Sequence, residues 1–322
     1  MRVACGMQFK PLTISVVALF GVFGLYMASA KPEKRNTGDV SNEAKIKQAL
    51  TDADLKTPER AGDVDGEMKR ILVFSKTNGF RHKSIGIGKQ ALGLMAESSG
   101  AFDVVISDDL ENFDKGAIEG FDAICFLNTT MNVFSPHKKQ LKKMSEEEKR
   151  EAARLDKVRK ENLMSFIEEG KGFIGIHAAT DTFYEWAEYG EMLGGYFNGH
   201  PWRHSTEVSI KADAGNKSHR LLEGVIPEGE NELRFNEEVY EYKDPYDSSK
   251  VTMLLRLDAD ASEQPKKRAK RKDKDFGVSW VKTHKKGRVF YSSLGHNDHI
   301  YWNKNVLRHY YNGILYALGE GE

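Results

Sequence analysis

The chain has 322 residues with 48 basic and 48 acidic side chains, so bulk charge draws it neither to nucleic acid nor to an anionic membrane. Two cysteines exclude a disulfide framework, and the length suffices for one large core or two small ones.

The N-terminus reads as an export signal. Arg2 and Lys10 precede an uncharged apolar stretch, PLTISVVALFGVFGLYM (11–27), and Ala28-Ser29-Ala30 has the small-x-small spacing of a signal-peptidase site. Cleavage near Ala30 is expected, giving a periplasmic or extracellular protein. An uncleaved anchor is the competing reading, but the run is slightly short for a span of about 20 residues. Cleavage leaves Cys125 as the sole cysteine, in the apolar pattern Asp122–Leu127, where it reads as core and not as a nucleophile. Residues 31–69 are polar and charged. SNEAKIKQAL (41–50) could form a short helix, but the segment offers little for a core and reads as a linker or peripheral arm. The compact domain is expected over 70–319.

From residue 70 the pattern alternates. Residues 70–75 (RILVFS), 102–106 and 123–127 read as strands, and 84–98 carries apolar residues at helical spacing. A long helix is expected over 135–169, its middle (SEEEKREAARLDKVRKEN) charged on most faces and exposed to solvent. A fourth strand ends at His177. Strand–helix alternation of this kind predicts an α/β fold: a parallel sheet with helices on both faces. The second half reads as strands at 205–211, 237–242, 251–257, 276–282 and 288–294, some extending the sheet and others forming antiparallel additions, before a last helix over 303–318. Residues 262–275 hold seven basic residues in 266–274. No aromatic is interleaved, so the stretch reads as a solvated loop insertion in preference to a basic contact patch.

In parallel sheets ligands bind beyond the carboxyl ends of the strands. Phe74-Ser-Lys-Thr77, Leu127-Asn-Thr-Thr130 and Ile176-His-Ala-Ala-Thr-Asp181 leave three of these strands and should face one crevice. Several of the ten histidines fall in such loops: His82, His177, His200, His204, His296 and His299. Aromatics crowd the same segments (Phe80, Phe183, Tyr184, Trp186, Tyr196, Phe197, Trp202, Tyr301, Trp302), which suits a sugar, although about half of them are expected to be plain core. GxSxG, GxGxxG, Walker and HExxH motifs are absent. No cofactor is certain from spacing. A divalent metal could be assembled from His82, His177, His200 and His296 with Glu237 or Glu238, although scattered histidines more often serve as structural or catalytic groups.

Four stretches taken together resemble the trehalose-utilisation (ThuA-like) family: ILVFSKTNGFRHKSI (71–85), GFIGIHAATDTFYEWAEYGEMLGGYFNGHPW (172–202), FNEEVYEY (235–242) and GVSWVKTHKKGRVFYSSLGHNDHIYW (277–302). The resemblance covers about 70–319; the charged helix (138–162) and the 262–275 stretch look like insertions. It implies a flavodoxin-like sheet of the class I glutamine amidotransferase type. In those relatives the turn after the fourth strand carries a nucleophilic cysteine on a strained elbow. Here it reads Gly175-Ile-His-Ala-Ala-Thr180, without cysteine, which excludes thiolate amide transfer.

The family also implies sugar catabolism beside oxidoreductases that turn a sugar hydroxyl into a ketone. On that basis a histidine, His177 or His200, is expected to remove the acidified C2 proton of a 3-keto sugar, leading to elimination, hydrolysis or isomerisation. His82, Asn128, Asp181, Trp202, Glu237 and His296 are the expected substrate contacts. A non-catalytic sugar-binding module is the alternative, and an ordinary hydrolase using Asp181 or Glu237, which would need two carboxylates at glycosidase separation, a weaker one. Asp181 could equally be a helix cap. Assembly into a homo-oligomer is left open.

Overall fold

The computed structural model describes residues 37–55, 68–265 and 267–320; the expected signal segment, 1–30, lies outside them. No helix among the described residues is long and apolar enough to cross a membrane.

The chain opens with helix α1 (Thr37–Ala53), then alternates β1 (Arg70–Phe74), α2 (Ile85–Ser99), β2 (Asp103–Ile106), a short α3 (Lys115–Ile118) and β3 (Ala123–Leu127). The single helix expected over 135–169 is two: α4 (Lys138–Leu141) and α5 (Glu146–Glu168). The break has a local cause. Ser145 accepts from Glu148 N (3.2 Å) while the Glu148 carboxylate accepts from Ser145 N (2.6 Å), a reciprocal cap that starts a new helix. The outer face of α5 is laced by pairs one turn apart, such as Arg154–Glu151 and Lys149–Glu146, as its charge pattern predicts.

β4 (Gly172–Ile176), α6 (Ala187–Leu193), β5 (Tyr196–Trp202), β6 (Glu207–Ala212), β7 (Leu233–Asn236), β8 (Val239–Lys243), β9 (Thr252–Asp258), β10 (Gly277–His284), β11 (Gly287–Ser292) and α7 (Lys304–Leu318) follow. Nine strands form one sheet in the order β2-β1-β3-β4-β11-β10-β9-β6-β7. Its first five strands are parallel neighbours. Their order is the 2-1-3-4-5 order of a doubly wound flavodoxin-like sheet, with β11 as the fifth strand. β10, β9, β6 and β7 extend it antiparallel, and β5 pairs with β8 in a separate two-stranded sheet.

Strand alternation sorts the apolar residues into two cores, one per face. Ile71, Val73, Cys125, Ile174 and Ile176 pack under α1, α2 and α7. Leu72, Phe74, Ile124, Phe126 and Phe173 pack under α3, α5 and α6 with an aromatic cluster that includes Phe113, Phe134, Phe183 and Tyr189. Segment 31–69 supplies more core than its composition suggests, since Ile46, Ala49, Leu50 and Ala53 of α1 are buried. Most described residues of the 262–275 crossing between β9 and β10 are exposed to solvent, yet the crossing is tethered. Backbone N–H groups of Lys270 and Arg271 donate to the Glu241 carboxylate (2.7 and 3.1 Å), and Lys270 Nζ reaches Asn198.

Candidate active site

Five chain segments meet beyond the carboxyl ends of the parallel strands. The loop after β1 brings His82, the end of β3 brings Asn128, the end of β4 brings His177, β5 brings His200, and the loop after β11 brings Ser293 to His296. The β7–β8 junction adds Glu237 and Glu238. Residues 237–242 were expected as one strand. Instead β8 starts at Val239, and both glutamates sit where the chain leaves the large sheet for the small one.

His177 and Asn128 both end a buried strand in left-handed backbone conformation, at φ 50° and 54°. Such angles are uncommon outside glycine and concentrate where packing over-determines the backbone around a site. The strained turn expected after β4 is therefore present, and it carries an imidazole. Gly295 (φ 135°) lies against it: a Cβ there would stand 3.2 Å from His177 Cβ and 2.8 Å from the Tyr301 hydroxyl. Only glycine lets this loop pass so close.

The His177 ring is wholly buried and held at both nitrogens. Nδ1 lies 2.6 Å from the Ser293 carbonyl, which can only accept, so Nδ1 carries the proton. Nε2 keeps its lone pair and takes a hydrogen bond from the Tyr240 hydroxyl at 2.8 Å. Burial, with the neighbouring His82 and His296, holds its pKa well below the ordinary value. His82 meets it edge-on, with ring centroids 4.7 Å apart, and burial pushes the His82 pKa down to about 4. His296 completes the triangle, 5.1 Å from His82 and 5.4 Å from His177. Burial pulls the His296 pKa down, yet the carboxylates around it, Glu238 foremost, raise it overall.

Glu238 is the hub. Its Oε1 is 3.3 Å from His296 Nδ1 and 3.7 Å from His177 Nε2, and its Oε2 is 3.3 Å from His200 Nδ1. Neither 3.3 Å contact has hydrogen-bond alignment. The Nδ1 atoms of His82, His200 and His296 are buried with no hydrogen-bond partner, as is Asn128 Oδ1. Ligating atoms of His82, His177, Glu238 and His296 all lie within 4.8 Å of one another.

The expected site residues divide accordingly. His82, His177, His200 and His296 come together, and of the two glutamates Glu238 faces them. Glu237 does not: its carboxylate accepts from the backbone N–H groups of Gly295, His296 and Asn297 (3.1, 2.6 and 3.1 Å) and pins that loop. Burial pushes the Glu237 pKa up to about 8 against the pull of those donors. A residue so committed cannot be half of a glycosidase pair. Asn128 backs the site, donating to Ser84 Oγ and the Gly295 carbonyl. Asp181 is no helix cap; it ends a 3₁₀ turn and accepts from the Tyr184 hydroxyl, and burial raises its pKa to about 6. Trp202 is not brought to the site. It is buried in the core against Phe276, its indole N–H donating to the Glu263 carbonyl.

Of the loop aromatics, Phe183, Trp186, Tyr196 and Tyr301 are also core, whereas Phe80 is 62% exposed. Phe80 and Trp302 line a cleft of about 460 Å³ that reaches His204 and His296. A larger groove of about 810 Å³, lined by residues of α5 and α6, contains none of the clustered imidazoles. Tyr240 and Ser293 are contacts that sequence reasoning passed over. The signal for Tyr240 was present, because two-residue alternation puts Glu238, Tyr240 and Tyr242 on one face. Nothing local marks a backbone carbonyl such as that of Ser293.

A doubly wound α/β sheet bearing an imidazole on its elbow defines the class. Within it the chain belongs to the ThuA family, described as trehalose utilisation, whose model matches residues 70–317. A ThuA-like protein from Bacteroides uniformis ATCC 8492 shares the fold (TM-score 0.56, 17% identity, covering 80% of this chain and 94% of that one). So does one from Parabacteroides merdae ATCC 43184 (TM-score 0.50, 12% identity, 79% and 91%). No curated protein matches the chain.

Proposed function

We propose that this chain is an exported enzyme of sugar catabolism that acts on an oxidised, 3-keto disaccharide or glycoside, with His200 as the base. Membership of the trehalose-utilisation family supports the substrate class, and the exposed Phe80 beside the cleft suits a pyranose face. The observation that carries the assignment of the base is the contrast between two histidines. His177 is fully enclosed with both nitrogens engaged, whereas the His200 side chain is 36% exposed and has its Nδ1 toward Glu238. With Glu238 beside Nδ1, Nε2 is the nitrogen left to receive a proton.

In the proposed step the C2–H bond breaks and its proton passes to His200 Nε2. The bonding pair moves to C3=O and forms an enolate. When the carbonyl re-forms, the C1–O bond breaks, and the departing oxygen leaves as an alcohol after taking a proton. Water then adds across the resulting double bond, so the net change is hydrolysis. An oxidoreductase that makes the 3-ketone must act first.

The test is NMR in deuterated water with a 3-keto disaccharide and its unoxidised parent. Cleavage of the keto sugar alone, with deuterium entering at C2, is the expected result. His200→Gln should slow it by about 10²–10⁴-fold without moving the melting temperature. Shift changes on binding, with neither sugar turned over, would instead mark a carbohydrate-binding module. N-terminal sequencing of the secreted protein tests export.

A further inference from the structure

We propose that His82, His177, Glu238 and His296 bind one divalent transition-metal ion through three imidazole nitrogens and one carboxylate oxygen, with His200 outside the coordination sphere. The inference concerns the site assigned above but does not depend on the sugar.

Distance is the first support. Donors about 2.1 Å from a common ion stand about 3–4 Å apart. Glu238 Oε1 already lies 3.3 Å from His296 Nδ1 and 3.7 Å from His177 Nε2, and the full set of four falls within 4.8 Å. Small side-chain movements close the sphere without moving the backbone.

Unmet polar atoms are the second. Burying a ring nitrogen without a partner is costly, and native proteins rarely leave such atoms orphaned. Nδ1 of His82, a residue only 6% exposed, and Nδ1 of His296 are both left so, in the same small volume. An ion there satisfies both.

The third support lies behind His177. A ligating histidine usually donates its other ring N–H to a carbonyl or carboxylate, which fixes the tautomer and aims the free lone pair. The Ser293 carbonyl does this at 2.6 Å and leaves Nε2 directed at Tyr240 and Glu238. Metal entry replaces the Tyr240 hydrogen bond and leaves that hydroxyl free to hold a water or substrate oxygen.

The donor set also selects the ion. Three imidazoles and one carboxylate disfavour calcium and magnesium, which seek all-oxygen shells, and suit zinc, cobalt, nickel, iron or manganese. The cysteine Cys125 is buried in the core under α2 and is not a donor. Such an ion would polarise the ketone oxygen and steady the enolate. As a ligand, His177 could not be the base. Glu238 would then serve two neighbours, one oxygen on the ion and the other on His200.

The experiment is titration of chelator-treated full-length protein with cobalt(II) and with zinc, followed by visible absorption and calorimetry. One ion per chain with submicromolar affinity is expected, with cobalt bands typical of nitrogen–oxygen ligation. Glu238→Gln and His82→Gln should each weaken binding at least 100-fold. His200→Gln should bind like the wild type, and its circular dichroism serves as the folding control. Absence of uptake at micromolar metal would overturn the inference, as would equal losses in all three variants. Keto-sugar cleavage at full rate by the metal-free protein would deny the ion a part in the step while leaving the assigned function intact. A bound ion in a protein that leaves both sugars unchanged would uphold the site and reject the function.

Discussion

Glu237 and Glu238 are neighbours in sequence with opposite surroundings, one against backbone N–H groups and the other against imidazoles. His82, His177 and His296 were legible as a group, because each lies in the segment after a strand whose carboxyl end must face the crevice; His200 sits inside β5. Which of Glu237 and Glu238 joins them was not, because that depends on where β8 begins. The structure turns Glu238 toward the rings and commits Glu237 to three backbone N–H groups. Glu237→Gln puts an amide N–H₂ against one of those donors and leaves it unpaired, so a loss of about 1–3 kcal/mol in unfolding free energy is expected by urea denaturation. An unchanged midpoint would mean that water takes over the pairing. Trp202 taught the reverse lesson: an aromatic beside two histidines in sequence went to the core, since indole burial against Phe276 contributes more than exposure at a rim.

At the scale of elements, continuous apolar runs identified β1, β3 and β4, and helical spacing identified α2 and α7. β5 and β7 escaped. YFNGHPW contains glycine and proline, which weaken any strand reading, and β7 is four residues long, with two of them polar. Such strands exist because a partner strand supplies their hydrogen bonds, and that partner is distant in sequence. Packing of α7 on β11 depends on Gly313, where a Cβ would lie 2.5 Å from the Phe290 ring. Gly313→Ala should cost about 1–3 kcal/mol through overpacking, read as a lower urea midpoint, despite its better helix propensity. An unchanged or higher midpoint would mean that the helix lifts without penalty.

The same helix buries His309, whose Nε2 lies 2.7 Å from Ser279 Oγ and whose pKa burial pushes down to about 3. Below pH 6.5 the unfolded chain takes up a proton that the folded chain refuses, so this residue makes stability fall as pH falls, until the folded pKa is reached. The slope is at most about 1.4 kcal/mol per pH unit. His309→Gln should therefore lose roughly 2 kcal/mol less than wild type between pH 7 and pH 4.5. Parallel losses in the two chains would assign the acid sensitivity to other groups.

For the whole molecule, sheet class and parallel half were readable from alternation, and the flavodoxin-like order came with the family resemblance. The extent of the antiparallel half was not readable, because nothing local says whether a hairpin stays in the sheet or, like β5 and β8, leaves it. Helix α1 was equally obscure. Its apolar residues are few, and their value emerges only when Ile46 and Leu50 meet α2 and α7. A variant lacking residues 37–55 should lose about 3–6 kcal/mol, at about 1.5–3 kcal/mol for each of those two side chains. Its melting curve is the measurement, and an unshifted melting temperature would make the helix an ornament.

The Glu237-Glu238 junction has a consequence for how such a scaffold can diversify. Successive side chains leave an extended backbone on opposite sides, so one inserted or deleted residue would hand each carboxylate the other's task. One mishap of length would release the 295–297 loop and empty the imidazole cluster together. Length variation must therefore accumulate elsewhere. The 262–275 crossing, anchored through Lys270 and Arg271 to the small sheet, contributes none of the clustered imidazoles, and a change of length there shifts neither carboxylate.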